Sequence, residues 1–400
     1  VRRVAQAEAD DGSVEADRDI LMIGTLESYA SLKKYFGDDR VIPILIDCAD
    51  RDRLMRAIHR EDKRADPQYR EMCRRFVADS EDYSEENIKD IFNKLGIPES
   101  EKKSLAGVGA QFDSEIIYHN LEEKMKEKGV IYLNFDQAIK DYPDLVKQYF
   151  TKAVPLIDHK YIALHYALFS GGSFVYVPKG VKLDMPLQSY FRLNEKGSGQ
   201  FEHTLIIVDE DASLQFIEGC SAPGYNDINL HAGCVELFVK KNAFLRFSTI
   251  ENWSKNMLNL NTKKAIVGKN AKMDWVSGSF GSKISMLYPM SILNGEGAKT
   301  EYTGISFAGG GQNLDNGFKV IHNAPNTSSV VNAKSISKNG GKCTYRSLVR
   351  IGENANGSKS SVSCESLMLD DISVETAPIR NDALSASETS FADSLDSIQI

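Results

Sequence analysis

The chain has 400 residues, enough for two or three domains, and its 42% hydrophobic content fills at least one sizeable core. Against 56 acidic side chains stand 48 basic ones, a net charge of -8 that excludes the basic footprint nucleic-acid phosphates require. No apolar run reaches the roughly 18 residues a membrane-spanning helix needs, and Val1-Arg2-Arg3-Val4 lacks the apolar core of a signal peptide, so a cytoplasmic protein is expected.

Residues 1–86 are charged, with apolar residues at helical spacing from Ser28 to Phe36 and from Arg51 to His59. Between them, Val41-Ile42-Pro43-Ile44-Leu45-Ile46 reads as a buried strand, and Asp50 is placed to cap the second helix. The texture is α/β. Residues 87–166 read as helical: Asp90 to Leu95 ends at Gly96 and Pro98, and Leu121 to Lys128 and Phe135 to Phe150 are amphipathic. After Gly171-Gly172 the texture changes to short runs of Val, Ile, Phe, Tyr and Thr separated by Gly and Asn turns, the pattern of many short strands.

An internal repeat selects among the all-β architectures. The turn-like tetrads are Glu210-Asp211-Ala212-Ser213, Lys241-Asn242-Ala243-Phe244, Lys269-Asn270-Ala271-Lys272, Glu296-Gly297-Ala298-Lys299, Pro325-Asn326-Thr327-Ser328 and Glu353-Asn354-Ala355-Asn356. Their third positions lie 31, 28, 27, 29 and 28 residues apart. A small residue suits a tight corner against the neighbouring coil, and Asn or Gly before it tolerates the left-handed backbone. A solenoid with two strands per repeat follows, each coil burying its inner face on the next.

The repeat converts sequence distance into proximity. Cys220 lies eight residues after Ala212 and Glu251 eight after Ala243, which places them at equivalent positions on adjacent coils. Cys364, nine after Ala355, is expected on the same side several coils away. A thiolate and a carboxylate one strand spacing apart, about 4.8 Å, are able to share a metal ion or pass a proton. The six cysteines (Cys48, Cys73, Cys220, Cys234, Cys343, Cys364) contain no CxxC or CxxxC pair, against structural zinc and ferredoxin-type motifs. Their low density also argues against a disulfide framework. His203, His231 and His322 read as hydrogen-bonded structural residues, and Cys234 and Cys343 as packing residues.

Several long segments resemble the SufB scaffolds of the SufB/SufD iron–sulfur cluster assembly family: Ser104 to Glu115, Ser170 to Val181, Glu218 to Pro223, Ser248 to Trp253 and Lys334 to Gly341. The resemblance runs over residues 87–370, leaving 371–400 as an atypical, disordered tail. It implies a mainly β fold, a right-handed parallel β-helix core (167–370) preceded by α-helical and α/β segments. It also implies a scaffold rather than an enzyme, carrying a transient iron–sulfur cluster. The partners implied are a SufC-type ATPase, a SufD-type paralogue, and a cysteine desulfurase or sulfur carrier, with no nucleic acid and no membrane. Within it Cys220 matches the sulfur acceptor and Cys364 a metal ligand of the assembly site. Arg192, Asn194, Trp253 and Lys263 match positions along the sulfur path, and Glu251 stands where some members have Gln. Arg and Lys nearby are expected to depress the Cys220 thiol.

Two departures from that family stand out. The sequence after Asp371 becomes rich in Ser, Ala and Asp and has no His-Glu pair, which the family uses beyond its β-helix, so docking of the ATPase is in question. Residues 19–86 instead resemble the C-terminal half of a guanylate-kinase-like protein, with Arg56, Arg60, Arg74 and Arg75 as phosphate-facing candidates. No GxxxxGK[ST] loop accompanies them, so kinase activity is not expected. Alternative readings are a SufD-like structural partner or a non-functional fusion carrying a kinase remnant.

Overall fold

The computed structural model describes residues 107–369, apart from 113–114, 122, 194–196, 223 and 225–226, together with the strands Glu375–Thr376 and Ser390–Gln399. The readings made for residues 1–86, including the four arginines, Cys48 and Cys73, lie outside the described residues, as does Asn194.

The described part opens with a cap. Strands β1 (Gly107–Phe112) and β2 (Glu115–Leu121) form an antiparallel pair, followed by α1 (Glu123–Glu127) and β3 (Ile131–Asn134). Helices α2 (Phe135–Asp141), α3 (Pro143–Tyr149) and α4 (Lys160–Leu168) come next. The Asn134 side chain caps α2 by accepting from the Asp136 N–H at 2.7 Å, and Pro143 starts α3 where no N–H is needed. The segment expected to be helical therefore also supplies three strands. The β-branched and aromatic run Ile116-Ile117-Tyr118 favours extended backbone, and β1 finds a parallel partner far along the chain.

The solenoid begins with β4 (Ser173–Val177). Its first four coils are β5 (Leu187–Arg192), β6 (Gly199–Gln200) and β7 (His203–Val208); β8 (Ser213–Ser221), β9 (Asn229–His231) and β10 (Cys234–Val239); β11 (Phe244–Asn252), β12 (Met257–Asn259) and β13 (Thr262–Val267); and β14 (Lys272–Phe280), β15 (Ile284–Leu287) and β16 (Met290–Leu293). Thereafter coils carry two strands: β17 (Lys299–Ala308) with β18 (Asn313–His322), β19 (Ser328–Ser337) with β20 (Lys342–Ile351), and β21 (Lys359–Met368) with β22 (Glu375–Thr376). The last strand, β23 (Ser390–Gln399), pairs with β21, so ten residues of the expected tail extend a sheet.

One sheet runs β2-β1-β5-β8-β11-β14-β17-β19-β21-β23, and the other joins the return strands, with parallel pairing throughout the coils. This is the solenoid the repeat predicted and the parallel β-helix the resemblance implied. The two-strand repeat holds only for the later coils. In the earlier ones a bend divides the return strand, and Pro289, which has no N–H for the ladder, separates β15 from β16 before both align on β18.

The corners follow the predicted chemistry with one displacement. Asp211, Asn242, Asn270, Gly297 and Asn326 all have positive φ, and each is followed by a buried small residue. At the next corner Gly357, not Asn354, has positive φ, and buried Ser358 occupies the small-residue position. The corner between Ile351 and Lys359 is two residues longer than the one between His322 and Ser328, and its marker is Ser358 rather than Ala355. Inside, Phe216 stacks on Phe247 at 5.6 Å, Phe247 meets Trp275 at 5.7 Å, and Tyr302 stacks on Phe318 at 4.5 Å. Each fully buried aromatic contributes about 1.5–3 kcal/mol of burial free energy. At the N-terminal end the Gln111 amide donates to the Gly172 carbonyl at 2.7 Å and accepts its N–H at 2.8 Å, pinning β1 across the first coil.

Candidate functional site

Parallel pairing sets Cys220 of β8 directly against Glu251 of β11, as the repeat predicted. Both are buried, and Phe191 of β5 flanks the cysteine on its other side. Across the lumen, Lys263 of β13 is 1% exposed and donates from Nζ to Glu218 Oε1 at 2.6 Å and to Thr249 Oγ1 at 2.9 Å. The same Nζ lies 3.8 Å from Glu251 Oε1 and 5.3 Å from the centre of the Phe247 ring. Glu251 Oε2 accepts from Asn259 Nδ2 at 2.7 Å, and Asn259 Oδ1 lies 2.7 Å from His231 Nδ1. His231 Nε2 closes the chain on Glu202. Trp253 lies over His231, ring centres 4.6 Å apart, and packs with Phe191, Leu193, Cys220 and Met257.

Charge and burial compete here. Burial alone would lower the Lys263 ammonium, but the carboxylates of Glu218 and Glu251 outweigh it and hold the lysine charged. Burial raises the Glu218 carboxyl despite its lysine partner. Burial would also raise Glu202 and lower His231, yet each overrides that for the other, leaving an ion pair. The Cys220 thiol is pushed well above its ordinary value, first by burial and then by Glu218, with Lys263 compensating only in part. The expected thiolate depression is therefore corrected. The nearby cation already serves a carboxylate, and more than one acid surrounds the sulfur.

Arg192, half-buried at the end of β5, donates from Nη1 to Ser221 Oγ at 3.2 Å and so reaches the residue beside Cys220. Cys364 is buried on β21, but its register is that of Glu218, through Thr249, Ser277, Gly304 and Ala333. It points to the same lumen two residues from the Cys220 column, because the longer corner makes Ser358 rather than Ala355 the marker. Five strand spacings separate the two cysteines along the axis, about 24 Å. A small cavity near that end is bordered by Tyr302, Ser306, Asn316, Cys343 and Cys364.

Sequence reasoning passed over Glu202, Glu218 and Asn259, which no motif marks as functional. The usable signal was again the repeat: His231 and Asn259 pair in register, 28 residues apart. It also passed over a second cluster. His165 of α4, His203 of β7 and Cys234 of β10 are all buried, with ligand-capable atoms within 4.8 Å of one another. His203 and Cys234 are register partners offset by the 31-residue repeat, while His165 arrives from a helix at no repeat spacing. His322, by contrast, is satisfied by Thr327 at 2.7 Å and Ser329 at 3.0 Å, as expected of a structural histidine.

The fold is a parallel β-helix whose lumen holds a thiol, three carboxylates and a lysine. The chain belongs to the SufBD family of iron–sulfur cluster assembly proteins. Residues 97–189 match the SufBD protein N-terminal region, and residues 191–381 match the SUF system FeS cluster assembly SufBD core domain. It is 52% identical over 294 residues to an iron–sulfur cluster assembly SufBD family protein of Staphylococcus haemolyticus, covering 73% of this chain and 63% of that protein. A Staphylococcus aureus relative with the same description is 52% identical over 304 residues, 75% of this chain and 65% of the relative. The chain thus spans less than two thirds of the length of these relatives. The guanylate-kinase-like reading of residues 19–86 falls outside both matched spans. Among the described residues no helix is long and apolar enough to cross a membrane.

Proposed function

We propose that the chain is a SufB-type scaffold of the SUF system that accepts sulfur on Cys220 and builds a nascent cluster with Cys364 among the iron ligands. It is not a self-contained enzyme in this reading. The observation that carries the proposal is the register of Cys220 against Glu251 in a buried lumen, where Glu218 Oε2 and Glu251 Oε1 have no protein hydrogen-bond partner. Such carboxylate oxygens are poised to take the thiol proton. The Cys220 thiolate then attacks the terminal sulfur of a donor persulfide. Its S–S bond breaks, the donor leaves as a thiol with the proton, and Cys220 carries the persulfide, with no net oxidation. The charged Lys263 offsets the developing thiolate, while Trp253 and Arg192 bound the path toward Ser221.

At 2% exposure Cys220 is out of reach of any donor, so loading requires the coil to open. A SufC-type ATPase acting on this chain and a SufD-type paralogue supplies that work in this reading, and a cysteine desulfurase or sulfur carrier supplies the persulfide. Anaerobic reconstitution with iron, cysteine and a desulfurase tests the proposal. Wild type is expected to develop cluster absorption and protein-bound sulfane sulfur, and Cys220→Ala to lose both. Equal sulfur loading in the two proteins would refute the acceptor role and favour a SufD-like structural partner.

A further inference from the structure

His165, His203 and Cys234 lie outside the lumen, in the layer between the return sheet and the helices. Cys234 packs with Val154, Ile162 and Tyr166, whereas its neighbour Val235 faces the solenoid core. His203 is surrounded by Phe135, Phe150 and Phe169, with ring centres 4.8, 4.9 and 5.8 Å away. Nothing in the sulfur chemistry uses this cluster.

The hydrogen-bond accounting of the two imidazoles points to a cation. His165 Nδ1 lies 2.8 Å from the Ala232 carbonyl, which only accepts, so Nδ1 carries the hydrogen and Nε2 presents a lone pair. That lone pair faces His203 Nδ1 at 3.1 Å. The other nitrogen of His203, Nε2, lies 3.3 Å from a Glu236 carboxylate oxygen and makes no hydrogen bond among the described residues. A neutral imidazole has one hydrogen for these two acceptors. Wherever it sits, the remaining contact is acceptor against acceptor until a positive charge enters this buried site, either a second proton on His203 or a metal ion between the rings. A cation between the rings removes the conflict, because the His203 hydrogen then sits on Nε2 and faces Glu236. Each ring nitrogen turned away from the ion would then have an acceptor beside it, the outer-partner pattern of metal-bound histidines. Glu236 is itself fixed by the N–H groups of Thr151, Ala153 and Val154 at 2.7, 2.8 and 2.8 Å.

We propose that His165 Nε2, His203 Nδ1 and Cys234 Sγ bind one borderline-soft divalent transition-metal ion, zinc or ferrous iron, that clips α4 onto β7 and β10. Two imidazoles and a thiolate select such ions over magnesium or calcium. The 3.1 Å nitrogen separation suits two metal–nitrogen bonds of about 2.0–2.1 Å meeting near 100°. With its Nδ1 hydrogen on the Ala232 carbonyl, His165 offers Nε2 as a neutral ligand. Cys234 ligates as the thiolate, so binding releases its proton.

The test is titration of the full chain, stripped with a chelator under anaerobic conditions, with cobalt(II) as the probe. A variant keeping Cys234 as its sole cysteine is expected to bind one equivalent with thiolate-to-cobalt charge-transfer absorption, which Cys234→Ser and His165→Gln lose. Circular dichroism checks each fold. Zinc and ferrous iron, added separately to stripped wild type, are expected to raise the melting temperature by roughly 5 °C, and the larger shift identifies the preferred ion. Absence of the absorption in the sole-cysteine chain, or its persistence in Cys234→Ser, overturns the site. A melting temperature indifferent to stripping also overturns it, leaving a shared proton between the rings. Because the sole-cysteine chain lacks Cys220 and Cys364, its result is independent of the scaffold proposal.

Discussion

The two ends of the solenoid lumen are built on the same repeat and filled by opposite rules. From Gln200 to Lys263 the described interior collects Glu202, Glu218, His231, Glu251 and Lys263, all buried, and the three glutamates each retain a carboxylate oxygen with no hydrogen-bond partner among the described residues. From β17 onward the interior is ruled by small hydroxyl ladders: Thr327 to Ser358 at 2.7 Å, Ser329 to Ser360 at 2.8 Å and Ser335 to Ser366 at 2.8 Å. A hydroxyl donates and accepts, so a column of them satisfies itself coil by coil. Carboxylates cannot, since they only accept, and a single lysine serves both Glu218 and Glu251. The early coils therefore hold unmet acceptors beside a cysteine, and the later coils satisfy their own polar groups.

The largest test of that contrast is Lys263→Ala. It strands Glu218 and Glu251 in the lumen and should cost about 3–5 kcal/mol in denaturant unfolding, most of which Lys263→Met with Glu218→Leu recovers. A loss under about 1 kcal/mol would mean the lumen is wetter than its burial implies.

The next effect belongs to pH and the later coils. Burial lowers His322 from 6.5 to about 4. Between those values the unfolded chain binds the extra proton, so this stability is complete above pH 6.5 and is lost as pH falls toward 4. The loss is roughly 3 kcal/mol. Comparing urea midpoints of wild type and His322→Gln at pH 7 and pH 4.5 isolates it, and the variant should show the flatter dependence.

The smallest effect is Ser335→Ala, expected to cost about 0.5–1.5 kcal/mol, since Ser366 keeps only part of its ladder. A cost as large as that of Lys263→Ala would erase the distinction between the two ends.

Much of this was legible in the sequence because a solenoid is close to one-dimensional. Corner residues such as Asn242 and Ala243 advertise themselves locally, and constant spacing places Cys220 beside Glu251. The same arithmetic misplaced Cys364, counted nine residues after Ala355 when it lies six after Ser358, since a longer corner is invisible when both Ala355 and Ser358 are small. The strands β1 and β2 lay in a region read as helical because β1 joins the sheet through β5, a partner 80 residues away, and β2 follows on β1.

Sequence alone determined the repeat, the parallel stacking and the meeting of Cys220 with Glu251, since each follows from backbone preferences repeated at fixed intervals. Only the tertiary structure decided the protonation of that cysteine, because which carboxylate claims Lys263 depends on the cross-lumen distance between β8 and β13. It alone also brought His165 to His203 and Cys234, because a helix docking on a sheet obeys no repeat spacing.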